Sequence, residues 1–135
     1  MLPNPVIRDE TSTDVEEITR VTVAAFQDLA VSSHNEQDVI IGLREAGALA
    51  VSLVAESATR IIGHIAFSPV QISDGTPSWY GLGPVSVLPK YQRQGVGRAL
   101  IEEGLLRLRR MEARGTVTFH DAFTKKSSGQ EPLDP

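Results

Sequence analysis

The sequence predicts an α/β chain of the α+β kind, a mixed, mainly antiparallel twisted sheet flanked by helices. Three observations predict it. Two β-rich runs, 49–56 and 61–68, stand close enough in sequence to be antiparallel neighbours. A third run, 79–87, leads through a glycine turn into the longest amphipathic pattern of the chain. The N-terminal part carries a helix-capping signal followed by apolar residues at helical spacing.

At 135 residues the chain fits one domain, and a domain of that size buries roughly two-thirds of the surface its unfolded chain exposes. A hydrophobic content of 41% with 22% charged residues is that of an ordinary folded protein. We assign 1–123 to this single domain and 124–135, rich in Lys, Ser, Gly and Pro, to a mobile tail. The absence of cysteine excludes disulfides, thiolate metal sites and cysteine nucleophiles. Met1–Pro5 lacks the basic region and apolar stretch of a secretory signal, and no apolar run approaches about 18 residues. The expected location is the cytoplasm, with no membrane partner and no metal.

Val6-Ile7-Arg8, between Pro5 and the polar run 9–12, reads as a first strand. Thr13-Asp14-Val15-Glu16 has the form of a capping box, and Val15, Ile18, Thr22, Ala25, Phe26 and Leu29 continue at helical spacing, so a helix is expected over about 14–30. A second helix is expected from Glu36 to Ala46, with Asn35 as cap, Val39, Ile40 and Leu43 inward, and Gly47 as stop. The runs 49–56 and 61–68 form an antiparallel hairpin around a four-residue loop, 57–60, and the second run extends past Pro69 toward the turn at Asp74-Gly75. Gly63 marks a bulge or a close-packing point. In the strand Trp79–Val87, Gly81, Gly83 and Pro84 disturb the ladder. From Gly95 to Arg114 the pattern repeats at 100° per residue, with Leu100, Ile101, Gly104, Leu105, Leu108 and Met111 on one arc and charged residues on the other. Gly115 stops that helix, and Thr116–His120 reads as a final strand.

Net charge is −4, yet residues 88–114 hold seven Lys/Arg against three Glu. Such asymmetry suits a local anionic ligand better than nucleic acid, whose binders present a broader basic face interleaved with aromatics. Arg93 and Arg98 stand near the glycine turn and are assigned to that ligand, whereas Arg107, Arg109 and Arg110 read as a solvated helix face.

The turn itself is Gln92-Arg93-Gln94-Gly95-Val96-Gly97, between a strand and a helix. Helix N-termini leave backbone N–H groups unpaired and carry partial positive charge, so glycines that let a ligand approach them make an anion site. The spacing excludes a Walker loop, which needs Lys-Ser/Thr after its second glycine, and a dinucleotide fingerprint, which needs a small residue where Leu100 stands. Ser86 lacks the Gly-x-Ser-x-Gly elbow of a serine hydrolase, and His34, His64 and His120 have no second catalytic residue type at informative spacing.

With Gln-x-x-Gly-x-Gly opening a helix directly after a strand, and Val87-Leu88-Pro89-Lys90-Tyr91-Gln92 upstream, the sequence resembles the GCN5-related N-acetyltransferase (GNAT) family over most of its length. The resemblance implies acetyl-CoA as cosubstrate and transfer of an acetyl group to an amine of a small molecule or peptide. It implies that backbone N–H groups of Arg93, Gln94, Gly95, Val96, Gly97 and Arg98 hold the pyrophosphate, and that Gln92 shapes the turn. Val85, Ser86 and Val87 would border the pantetheine arm, opened by a bulge near Gly83-Pro84, with a backbone N–H near Val85 on the thioester oxygen. Complete relatives continue after the signature helix with a strand and a short helix that often bears an acidic tyrosine; here Gly115 leads straight into a run that resembles the last strand. Neither Tyr80 nor Tyr91 stands at that tyrosine's place, and no Asp or Glu lies in 79–87. The resemblance is therefore to a member with an internal deletion, with two readings open: an N-acetyltransferase, or a non-catalytic acyl-CoA-binding or dimeric module. An exposed sheet edge favours a homodimer.

Overall fold

In a computed structural model of the chain, which describes residues 5–27, 34–72, 74–75, 77–118 and 131–132, six strands form one sheet in sequence order. The elements are β1 (Val6–Asp9), α1 (Val15–Phe26), α2 (Glu36–Glu45), β2 (Val51–Ser57), β3 (Arg60–Val70), β4 (Trp79–Val87), α3 (Val96–Arg110), β5 (Gly115–Thr118) and β6 (Glu131–Pro132). Strands β1 to β4 are antiparallel to their neighbours. The only parallel pair among the described residues is β4 with β5, the two strands that α3 separates in sequence, because a parallel partner requires a crossover. The expected class holds, and the final strand lies beside Trp79–Val87. His120 and part of the segment expected as Thr116–His120 fall outside the described residues. Of the expected tail 124–135, only Glu131–Pro132 are described, paired antiparallel with Gly115–Thr116.

Neighbouring residues of a strand face opposite sides of a sheet, so Leu53 and Val54 belong to different layers. Leu53, Ile65 and Phe67 pack with Val96, Leu100 and Leu108 of α3. Val54 and Ile61 pack with Ile18 and Val21 of α1. On α3 the buried residues are Val96, Leu100, Gly104 and Leu108, a strict four-residue repeat. Met111, expected on this arc, lies just past the helix end and is 43% exposed. A Cβ on Gly104 would stand 2.2 Å from Phe67 Cε1, so glycine here sets how closely α3 approaches the sheet.

Three local expectations need correction. The helix signal is not capped at Thr13: the Asp14 carboxylate accepts the Thr11 N–H at 2.7 Å, and a 3-10 turn, Ser12–Asp14, leads into α1. Arg8 holds Asp14 there at 2.8 Å, which fixes the cap two residues early. The hairpin turn is Ala58-Thr59 alone, with φ of 51° and 65°, because two left-handed residues match the twist of the strands better than a longer loop. Arg107 is not a solvated cation: it donates to both oxygens of Asp9 at 2.8 Å and ties α3 to β1. Pro69 fits within β3 because it lies beyond the Val51↔Phe67 pair where β2 begins, so β3 is locally an edge on that side. Gly63 proves to be both: β3 carries one extra residue between Ala55↔Gly63 and Glu56↔Ile61, and a Cβ on Gly63 would meet Ser86 O at 3.0 Å and Leu100 Cδ1 at 3.1 Å.

Candidate functional site

The site begins with a defect in β4. Between Ile65↔Val85 and Phe67↔Leu82, β4 has one residue more than β3, so Gly83-Pro84 forms the bulge. Beyond it, the Leu88 N–H donates to Ile62 O at 2.9 Å. Antiparallel pairs alternate between bonded and unbonded, so His64↔Ser86 is a bonded pair, whereas Ile65↔Val85 and Gly63↔Val87 are not. The backbone N–H and C=O of Val85 and Val87 therefore point away from β3. On that side the described part of β5 reaches only as far as Thr118, opposite Leu82.

The turn follows directly. Gln92 Nε2 donates to Val87 O at 2.8 Å, and Gln94 Nε2 donates to Lys90 O at 3.0 Å, so both glutamine side chains brace backbone. Arg93 at φ 63° and Gly95 at φ 90° turn the chain back onto itself, and Gly95 caps α3. The first intrahelical bond here runs from Ala99 N–H to Gly95 O, at 3.0 Å. The N–H groups of Val96, Gly97 and Arg98 precede it and have no carbonyl of the helix to bond. A Cβ on Gly97 would lie 3.7 Å from Val87 Cγ2 and 3.8 Å from Val85 Cγ1, which places the helix start against the two residues whose backbone turns away from β3.

The sequence-assigned residues thus meet at one place, with distinctions that only coordinates supply. Val85, Val87, Gln92, Gln94, Gly95, Val96, Gly97 and Arg98 converge where β4 passes into α3. Val96 contributes backbone only, since its side chain is 2% exposed in the core. Ser86 points its side chain to the α1 face, where it lies 3.4 Å from Thr22 Oγ1. Arg93 is exposed, and the Arg98 guanidinium, 3.2 Å from Glu102, is 83% exposed.

Sequence reasoning missed a polar file on the α1 face. Glu10, just after β1, accepts Arg44 Nη2 of α2 at 2.8 Å and Ser52 Oγ of β2 at 2.5 Å. Ser52 Oγ lies 2.8 Å from His64 Nε2, and His64 is fully buried. Burial works against the Glu10 charge, but the facing His64, Arg44 and Ser52 overcome it and hold the carboxyl down at about 2. Burial pushes the His64 imidazole below its ordinary value; Glu10 opposes that shift and Arg44 adds to it. The available signal was pairing: Ser52 and His64 are polar interruptions in apolar strands, and with His64 opposite Val54 they are diagonal neighbours.

Comparison with known proteins decides the family. The model of the acetyltransferase (GNAT) family matches residues 15–124. The uncharacterised N-acetyltransferase YhbS of Escherichia coli K12 is 34% identical over 117 residues, 86% of this chain and 67% of that protein. The chain belongs to the GNAT acetyltransferase family. A GNAT acetyltransferase from Brucella melitensis, solved in complex with acetyl-CoA, is 45% identical with a TM-score of 0.86, over 97% of this chain and 89% of that one. The E. coli YhbS structure, solved with CoA, gives a TM-score of 0.78 at 34% identity, over 87% of this chain and 63% of that one. This GNAT chain therefore spans about two-thirds of its curated relative and most of its Brucella neighbour.

Proposed function

We propose that this chain is an acetyl-CoA-dependent N-acetyltransferase that moves the acetyl group to an amine of a small molecule or peptide. The observation that carries the reading is the row of N–H groups at Val96, Gly97 and Arg98, set beside the slot-facing backbone of Val85 and Val87. A pyrophosphate is held there by N–H donors and by the positive end of α3. Gly95 supplies the left-handed turn without strain. The pantetheine arm pairs along β4, and the Val85 N–H lies on the side where a thioester oxygen gains negative charge. The thioester supplies an activated acyl carbon; the chain binds and orients it.

The Brucella neighbour is nearly spanned by this chain and was solved with acetyl-CoA, which supports donor binding by a chain of this extent. The reading places the protein in the cytoplasm and pairs two copies through a sheet edge, of which β1, with Val6 60% exposed, is one. Light scattering on the purified chain reads the second of these. The reaction is tested by thiol release from acetyl-CoA over a panel of amino acids, polyamines and peptides. Acceptor-dependent release supports transfer, whereas acetyl-CoA binding without release from any acceptor favours the non-catalytic module.

A further inference from the structure

The two helices of the α1 face differ in how they are attached. α1 buries Ile18, Val21, Thr22 and Ala25, whereas α2 buries Ile40 alone. Charge holds the far end of α2: Arg44, in its last turn, donates from Nη2 to Glu10 Oε1 at 2.8 Å and from Nε to Glu10 Oε2 at 3.3 Å. Glu10 Oε1 also accepts the Ser52 hydroxyl and lies 3.8 Å from His64 Nε2. A guanidinium, a hydroxyl and an imidazole thus converge on one carboxylate oxygen.

That carboxylate is matched to one cation only while His64 is neutral. Ser52 donates its proton to Glu10, so the bond between Ser52 Oγ and His64 Nε2 is donated by the ring, and Nδ1 is the atom left to take a second proton. Nδ1 is buried and has no hydrogen-bond partner among the described residues. A proton placed there in the closed fold finds no acceptor and sets an imidazolium and Arg44 on the same carboxylate. The facing groups offer no further anion. Ser52 of β2, Ser86 of β4 and Thr22 of α1 are neutral, while Arg8 is paired with Asp14 and Glu56, and Arg60 with Glu17 of α1. His64 is fully buried on β3, whereas the Arg44 side chain is 23% exposed, so the guanidinium is the cation that water takes over.

We propose that Glu10, Arg44 and His64 form an acid-opened latch: uptake of one proton at His64 Nδ1 displaces Arg44 from the Glu10 carboxylate and lets α2 leave the sheet. Opening brings water to Nδ1, so proton uptake and the release of Arg44 are linked. The imidazolium keeps Glu10 as its counter-charge, directly from Nε2 or through Ser52. Release of α2 also alters its neighbourhood: Val23, Phe26 and Gln27 of α1 and Glu36 and Gln37 of α2 line a cleft of about 240 Å³, which loses one wall when α2 moves. The latch stands whether or not the chain transfers acetyl groups.

The test is amide hydrogen exchange on the full chain without ligand, at about pH 7.5 and about pH 5.5, with and without low urea, after correction for the intrinsic rate. With an ordinary histidine value near 6.5 in the open form and a lower one in the closed form, protection of the α2 amides is expected to fall about tenfold between these conditions. The amides of α3 from Leu100 to Leu108 are expected to remain better protected than those of α2, and low urea to leave the α2 rates unchanged, as local opening requires. Arg44→Gln is expected to leave α2 weakly protected at both pH values, and His64→Gln to keep the parent's higher protection at both. If His64→Gln fails to fold, Arg44→Gln decides. Protection of α2 equal to that of α3, protection of α2 that does not change with pH in the parent, or a tenfold loss that persists in either variant overturns the latch.

Discussion

Gln92 Nε2 and the Val87 carbonyl are joined by a 2.8 Å hydrogen bond that closes the turn onto the end of β4. Val87 O faces away from β3, so this bond occupies an acceptor that β3 does not use and fixes where the N-terminus of α3 begins. Gln92→Ala removes it. A neutral hydrogen bond is worth roughly 0.5–1.5 kcal/mol, so acetyl-CoA affinity is expected to fall about two- to tenfold, read by calorimetry, with little change in melting temperature.

Gly95 and Gly97 serve the turn for different reasons, and substitution separates them. Gly95 holds φ 90° with open space around a Cβ, so Gly95→Ala meets backbone strain rather than a clash. The left-handed conformation costs a non-glycine residue roughly 1–2 kcal/mol. Urea unfolding is expected to show a loss of that order. Gly97 has an ordinary φ and an added Cβ would make ordinary contacts with Val85 and Val87, so Gly97→Ala is expected to leave stability within about 0.5 kcal/mol.

The approach of α3 to the sheet is set at Gly104. An added Cβ would overlap the buried Phe67 ring at 2.2 and 2.7 Å. Overpacking of this kind costs about 1–3 kcal/mol, the expected result for Gly104→Ala. Phe67→Leu frees the volume, so the double variant is expected to lose less than the sum of the single ones.

Much of this was legible in the sequence, and the illegible part has a common cause. The order of elements, the strand 79–87, the disturbed ladder at Gly83-Pro84 and the glycine turn that opens α3 all arise from local chemistry: apolar periodicity, proline without an N–H, glycine before a helix. Family membership follows from the same residues. Cap position and the role of Arg107 depend on partners outside the local helix pattern, six positions away for the cap and 98 for Arg107. Asp14 is held by Arg8, and Arg107 reaches Asp9 across 98 positions. The Glu10–Ser52–His64 file assembles only when β1, β2 and β3 are in register, so His64 read alone showed no partner at informative spacing. Likewise, the orientation of Ser86 toward Thr22 follows from the pairing after the bulge, which no local pattern specifies.

Stability is expected to fall with acid in two stages. His64 is pushed below its ordinary value by burial, so it protonates more readily once unfolded; its contribution is full above about pH 6.5 and declines as pH falls below it. Glu10 and Asp14 are both held down at about 2, Asp14 chiefly by Arg8. Their contributions are present above the ordinary carboxylate range, about 4.5, and are lost as pH drops toward 2. Melting temperature measured against pH should be flat above 7, decline gently below 6.5 and steepen below 4.5. His64→Gln is expected to remove the upper decline and keep the lower one.

The central claim is that the backbone N–H groups opening α3 bind the pyrophosphate of acetyl-CoA, and isothermal titration of the chain and of Gly97→Glu with acetyl-CoA tests it most directly. The account predicts saturable binding to the parent chain and affinity more than tenfold weaker when a carboxylate is carried at the mouth of the N–H row. No heat at millimolar acetyl-CoA, or equal affinity for the two chains, would contradict it.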